Sequence, residues 1–183
     1  VRPELTVRPA RTSDVPAIKS LVDRYAGKVL LGKDVVTLYE HVQGFRVAEL
    51  DGAVVGCGAL HVLWADIAEI RTVAVHPDTR GHGIGGHLVR DLIHRAATLG
   101  VSRVFVLTFE TAFFARHGFT EITGTPVDAT AYHHLRRSHD EGTAQFLDLP
   151  YVKPNTLGNT RMLLDLTTTT PVTTSTAQRH NHS

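Results

Sequence analysis

Val73-Ala74-Val75-His76-Pro77-Asp78-Thr79-Arg80-Gly81-His82-Gly83-Ile84-Gly85-Gly86-His87-Leu88 joins the end of a strand pattern, a short loop and a glycine-rich opening of an amphipathic helix. Four glycines in six residues, Gly81 to Gly86, remove side chains and let a ligand approach the backbone closely. A helix start offers unpaired N–H groups and the positive end of the helix dipole, an arrangement suited to a pyrophosphate. Arg80 adds a mobile positive charge at the same mouth.

The loop does not read as a nucleoside-triphosphate loop, because Gly86 is followed by His87-Leu88 and not by Lys-Ser/Thr. The dinucleotide fingerprint is a closer rival: Gly81 to Gly86 matches G-x-G-x-x-G, and Glu110 stands near the position of a ribose-binding acid. Against it, five residues, His76 to Arg80, separate strand and first glycine, and a helix pair and a hairpin precede the loop. The plain alternative is a helix start whose glycines serve close packing.

Upstream, Thr12-Ser13-Asp14, Pro16 and a stop at Gly27 frame a first helix, with Val15, Ile18, Leu21, Val22 and Tyr25 on one face. A shorter helix fits Asp34 to Gln43. The period then changes. Phe45 to Leu50 and Ala53 to Leu63 read as strands around an Asp51-Gly52 hairpin turn, followed by a third strand, Ile67 to Val75. Downstream, Gly85 to Leu99 is a strong helix, stopped by Gly100. Arg103 to Phe109 reads as a buried central strand, Thr111 to His117 as a short helix and Phe119 to Thr123 as a strand. Ala129 to Ser138 has helical character within an ambiguous stretch, and Arg161 to Leu166 supplies a last strand. Helices first, an antiparallel meander next and then a β-α-β-α-β run predict an α+β domain whose sheet is covered by helices.

The 183 residues suit one domain, and 42% apolar against 20% charged residues provide for a real core. A net charge of +1 argues against nucleic acid or an anionic membrane as partner. No apolar run approaches the roughly 20 residues of a membrane span, and the N-terminus lacks a secretory block. A single cysteine, Cys57, excludes an internal disulfide framework and suits a reducing compartment. A soluble, cytoplasmic domain over residues 1–166 is expected, with a floppy threonine-rich tail over 167–183. His61, His94, His133, His134 and His139 do not gather at ligand spacing, and no metal is expected. Trp64 reads as a cap on the core in preference to a pocket wall.

Arg80-Gly81-His82-Gly83-Ile84-Gly85 resembles the Arg/Gln-x-x-Gly-x-Gly/Ala signature of the GCN5-related N-acetyltransferase (GNAT) family, whose co-substrate is acetyl-coenzyme A. Phe113-Phe114-Ala115-Arg116-His117-Gly118-Phe119 is similar to the family's aromatic-aromatic-x-x-x-Gly-Phe segment. The resemblance spans roughly residues 5–125 and implies a mixed, mostly antiparallel central sheet flanked by helices. Glu69 to Pro77, Phe105 to Thr108 and Tyr151 to Asn155 with Asn159 to Leu163 further resemble the N-acetylglutamate synthases, in their short single-domain form. Acetylation of the α-amine of glutamate or glutamine, the first step towards arginine, is the implied activity. Another amine (peptide, polyamine or drug) remains open, as does a non-catalytic acyl-coenzyme A sensor; relatives often form homodimers.

An α-amine is largely protonated at neutral pH, so a carboxylate must take its proton. Glu69, on the strand leading to the loop, is the expected base; its rival role is an acid in solvent or paired with Arg71. Val73 is the expected N–H donor to the oxyanion, with Val73, Ala74 and Val75 along the pantetheine arm. Arg80, Gly81, His82, Gly83, Ile84, Gly85 and Gly86 are expected on the pyrophosphate. Many relatives protonate the leaving thiolate with a tyrosine where this chain has Phe114. By resemblance Thr108 takes that role, against the alternative of a local strand-end hydrogen bond. Lys33, Arg71 and Arg161 are the expected substrate cations.

Overall fold

The computed structural model describes residues 2–28 and 32–168, without the side chains of residues 154 and 155. Seven strands form one sheet: β1 (Leu5–Pro9), β2 (Phe45–Leu50), β3 (Ala53–Trp64), β4 (Ile67–Val75), β5 (Arg103–Thr108), β6 (Thr120–Glu121) and β7 (Thr160–Asp165). Their spatial order is β1-β2-β3-β4-β5-β7-β6. Every pairing is antiparallel except β4 with β5. A parallel pair needs a long crossover, which α3 (Ile84–Leu99) supplies. This mixed sheet is not the parallel, doubly wound sheet of dinucleotide-binding domains, so that rival reading falls.

The hairpin forms where the sequence places it. Asp51 and Gly52 both have positive φ, 50° and 82°, as a tight turn matched to strand twist demands. One strand escapes the sequence reading: the chain opens with β1 and not with a helix. Only five residues long, β1 sits at the sheet edge, where its Pro9 is tolerated. Arg8 on this strand holds Asp14 and Glu49 at 2.8 and 2.6 Å, tying the first helix to the edge.

One face of the sheet carries α3. Its Val89, Leu92 and Ala96 pack on Leu60, Ala68, Ile70, Val104 and Val106. On the other face α1 (Val15–Asp23) and α2 (Val35–Glu40) cover Phe45, Val47, Cys57 and Ala59. Beside them, α5 (Ala129–Leu135) and α6 (Glu141–Phe146) cover Leu63, Ile67 and Phe105. Asp128 and Asp140 cap these two helices, accepting from Ala131 N and Thr143 N at 2.7 Å each. Helix α6 is thus a second helix in the stretch that periodicity left ambiguous. The remaining elements are α4 (Thr111–Ala115), whose Phe114 joins the α3 side, and the single turn α7 (Lys153–Thr156).

The threonine-rich tail expected from residue 167 begins in a 3-10 turn, Leu166–Thr168, where Asp165 accepts from Thr167 N at 2.8 Å. From residue 169 it lies outside the described residues.

Helix α3 rests on β3 through the bare backbone of Gly56. A Cβ there would lie 2.9 Å from Ile84 Cγ2 and 3.0 Å from Leu88 Cδ1. Gly56→Ala is therefore expected to destabilise the fold by about 1–3 kcal/mol through overpacking, read as a lower urea midpoint. An unchanged midpoint contradicts this account of the helix–sheet contact.

Candidate active site

β4 and β5 run together only briefly. Their register ends at Glu69 opposite Phe105. Beyond it Val106, Leu107 and Thr108 pair with β7 alone, and β4 bends away through a bulge. Cys57 pairs with Ala74 and Ala59 with Arg71, so Thr72 and Val73 together oppose one residue, Gly58. Thr72 has φ 59°, a left-handed conformation that β-branched residues rarely adopt. The extra residue also resets side-chain alternation. Ala68 and Ile70 face α3 before the bulge, Val73 faces it after, and Ala74 turns to the α1 side.

Neighbours hold this strained turn. The buried Cys57 thiol donates to Thr72 O at 3.6 Å, and Tyr25 Oη donates to Val75 O at 2.5 Å. His76 N donates to Val55 O on the β3 side. By strand alternation the main-chain groups of Ala74 and His76 face β3, and those of Val73 and Val75 face the side that β5 has left. A wedge of unpaired backbone follows, able to take an extended, amide-bearing ligand as an extra strand.

Past the wedge, Pro77–Thr79 forms a 3-10 turn. The chain then enters α3 through Gly81 and Gly83, with φ of 87° and 69°. These values favour glycine. Gly83 is the N-cap residue, and no side chain caps the helix. The first-turn N–H groups of Ile84, Gly85 and Gly86 therefore meet the mouth beside exposed Arg80 and His82. Such a mouth fits a diphosphate, and the wedge leads from it to Glu69.

The cleft measures about 450 Å³, and its walls include Lys33, Glu69, Arg71, Val73, Thr108 and Phe114. Glu69 is only 4% exposed. Its Oε2 accepts from Arg71 Nε at 2.7 Å, and Arg71 Nη1 donates to Asp140 Oδ1 at 2.7 Å. Burial raises the Glu69 carboxyl above the usual glutamate range, with Arg71 opposing the rise. Burial works against the Asp140 charge too, yet Arg71 and the Thr143 N–H outweigh it and hold that carboxyl down at about 2. Lys33, half-buried at the α1–α2 connection, has its pKa lowered by burial and by Arg71. Gly142 lies flat on the Arg71 guanidinium: a Cβ there would meet Arg71 Cζ at 2.5 Å.

Thr108 does make the local bond that its position suggests, accepting from Glu110 N at 2.8 Å. An accepting hydroxyl keeps its own hydrogen free to donate. Thr72 and Thr108 carry the only hydroxyls among the described residues of the cleft wall, since both Phe113 and Phe114 lack one.

Arg161 corrects an expectation. Nε donates to Gly124 O at 2.9 Å, Nη1 to Gln145 O at 3.2 Å and Nη2 to Phe146 O, while the guanidinium lies over the Phe105 ring. Its donors bind the α5–α6 segment to the sheet, and it is not on the cleft wall. Trp64 stacks on His134, with ring centroids 5.8 Å apart, and also stands away from the cleft. Asp140, Gly142 and Tyr25 are functional neighbours that the sequence reading did not find. No group of three or more metal-ligating side chains occurs among the described residues, and no described helix is long and apolar enough to cross a membrane.

Burial pushes the Cys57 thiol up to about 12. At pH 8 the native protein is accordingly expected to resist a thiol-specific disulfide reagent and to react stoichiometrically once unfolded in guanidinium. Rapid labelling of the native chain contradicts the burial of Cys57 beneath the bulge.

Residues 18–119 match the Acetyltransferase (GNAT) family. The chain is 68% identical over 163 residues to an amino-acid acetyltransferase of Mycobacterium tuberculosis, covering 87% of this chain and 94% of that one. A crystal structure from M. tuberculosis, in complex with CoA and NLQ, superposes with a TM-score of 0.87 at 67% identity, covering 88% and 99% of the two chains. N-acetylglutamate synthase of Neisseria gonorrhoeae, complexed with coenzyme A and N-acetyl-glutamate, gives a TM-score of 0.70 at 25% identity. There 91% of this chain covers 36% of the synthase. Carried by the parted strands, the glycine-led helix and these likenesses together, the conclusion is that the chain belongs to the GNAT acetyltransferase family.

Proposed function

We propose that this protein transfers an acetyl group from acetyl-coenzyme A to the α-amine of glutamate or glutamine, as a step towards arginine. The observation that carries the reading is the placement of Glu69: a buried carboxylate at the fork where β4 leaves β5, between a wedge of unpaired backbone and a cationic side chain. Acetyl-coenzyme A, when bound, supplies a thioester, an acyl carbon already prone to attack by a neutral amine.

The residues divide the work by position. Ile84, Gly85 and Gly86 N–H groups with Arg80 hold the diphosphate, and Val73 and Val75 main-chain groups align the pantetheine amides. Tyr25 already occupies Val75 O, which leaves Val75 N–H and both Val73 groups for the ligand. Val73 N–H faces the developing oxyanion. Glu69 takes a proton from the ammonium; its raised affinity for protons brings it closer to the amine than an ordinary carboxylate. Thr108 O–H faces the departing sulfur.

Charge balance bears on the acceptor. Arg71 is already committed to Glu69 and Asp140, and Arg161 to carbonyl oxygens. Lys33 and Arg71 Nη2, which has no protein hydrogen-bond partner, remain to meet one carboxylate. Gln145 and Asn159 on the same wall offer amide donors and acceptors to a neutral end. An amino acid with one carboxylate and one amide matches that set better than one with two carboxylates, so glutamine is favoured over glutamate.

With saturating acetyl-coenzyme A, thiol release is expected to be fastest with glutamine, slower with glutamate and negligible with a short peptide. Glu69→Gln is expected to lower kcat about 100-fold, as for loss of a general base, with KM for acetyl-coenzyme A unchanged. Wild-type turnover by Glu69→Gln overturns the base assignment, and preference for the peptide overturns the substrate class.

A further inference from the structure

Acetylation of an ammonium group liberates one net proton. The nitrogen loses two: one ends on the coenzyme thiol, and the other must reach solvent in every cycle. Glu69 holds that second proton in the reading above, on which this inference rests. Yet Glu69 is buried, and the cleft it faces is the one that donor and acceptor fill. The proton needs another way out.

A second cavity of about 330 Å³ adjoins the first, and the two share Lys33, Arg71 and Thr72 on their walls. His61 and His41 line only the second one, with ring centroids 6.1 Å apart. His61 on β3 stands directly opposite Glu69 on β4 in the antiparallel register. Cross-strand partners project to the same face with Cβ atoms about 5 Å apart, within reach of each other through one water. His61 is half-buried, on the wall of the second cavity.

We propose that His61 is the proton exit of this enzyme, taking the proton from Glu69 through solvent in the second cavity and delivering it to bulk water past His41. In the transfer Glu69 returns to its carboxylate, an imidazolium forms transiently, and the imidazole is regenerated as the proton leaves. No other co-reactant is needed. The charged and titratable groups around the ring are Lys33 and His41 from the α1–α2 side, Glu69 and Arg71 from β4, Asp140 from the cap of α6, and Glu40 at the cavity wall. Burial first, and then Arg71, pushes the His61 pKa down to about 4, so the ring passes a proton on and does not retain it. His61 touches neither substrate in this arrangement; it acts through Glu69.

The test uses the full chain with acetyl-coenzyme A and glutamine, and the variants His61→Gln, His61→Asn and Glu69→Gln. The His61 variants are expected to lose about tenfold in kcat at pH 7, with both KM values within about twofold, and to regain much of the loss when free imidazole is added. Urea midpoints of the two His61 variants identify any that is misfolded, and the other then carries the test. Unchanged kcat, a loss that imidazole does not restore, or a rise confined to the KM of glutamine each overturns the proposal; the last makes His61 a substrate contact. Glu69→Gln separates the two ideas. If it is inactive while the His61 variants are normal, only the proton exit fails; if it turns over like wild type, the base assignment fails as well.

Discussion

The whole site depends on a single constraint: β4 cannot stay paired with β5. A parallel pair joined by one helix has no local reason to open after three register positions. The reason lies on the other edge of β4, where an inserted residue forces Thr72 into a left-handed turn. Such a conformation is unfavourable by about 1–2 kcal/mol for a residue with a Cβ. It persists because the Cys57 thiol grips the Thr72 carbonyl itself and the Tyr25 hydroxyl grips that of Val75. The lone cysteine is thus a structural clamp at the back of the site and not a carrier of the acyl group. Its thiol is also too reluctant to ionise to be a nucleophile.

That bulge sorts the strand into two functions. Upstream, Glu69 and Arg71 project to the face covered by α6. Downstream, Val73 and Val75 present main chain to the wedge. Chemistry and binding are therefore adjacent along seven residues without competing for the same space. The acid itself is held between opposing influences, burial against an arginine, and the arginine is fixed in turn by Asp140 and by the absence of a side chain at Gly142. Helix α6 consequently does more than cover apolar surface. It sets the position of the cation that tunes the base.

What the sequence shows, it shows through local signals. Asp51-Gly52 demands a positive-φ turn, and the stripe of Leu88, Val89, Leu92 and Ala96 demands a buried helix face. The glycines before Ile84 mark an uncapped helix start. Glu69 and Thr108 were legible as residues of the cleft only with the help of a family resemblance. The losses have physical reasons. β1 is too short for periodicity to register and owes its place to pairing with residues some forty positions away. The bulge is invisible in the sequence because Thr72 looks like any strand threonine; the register opposite Gly58 and the packing of Ala68, Ile70 and Val73 on one helix reveal the extra residue. Arg161 reads as a free cation in sequence because nothing local announces the carbonyls of Gly124, Gln145 and Phe146 that take its donors. Asp140 and Gly142 meet Arg71 across 69 and 71 positions, a proximity that no short-range pattern contains.

Amide hydrogen exchange, resolved residue by residue with and without a non-transferable acetyl-coenzyme A analogue, tests the role of the parted strands most directly. Ligand is expected to protect Val73 and Val75 N–H together with the first-turn amides Ile84 to Gly86, and to leave Ala74, already turned to β3, unchanged. Protection at the helix start without any change at Val73 and Val75 contradicts the account, because the wedge would then not be where the pantetheine arm lies.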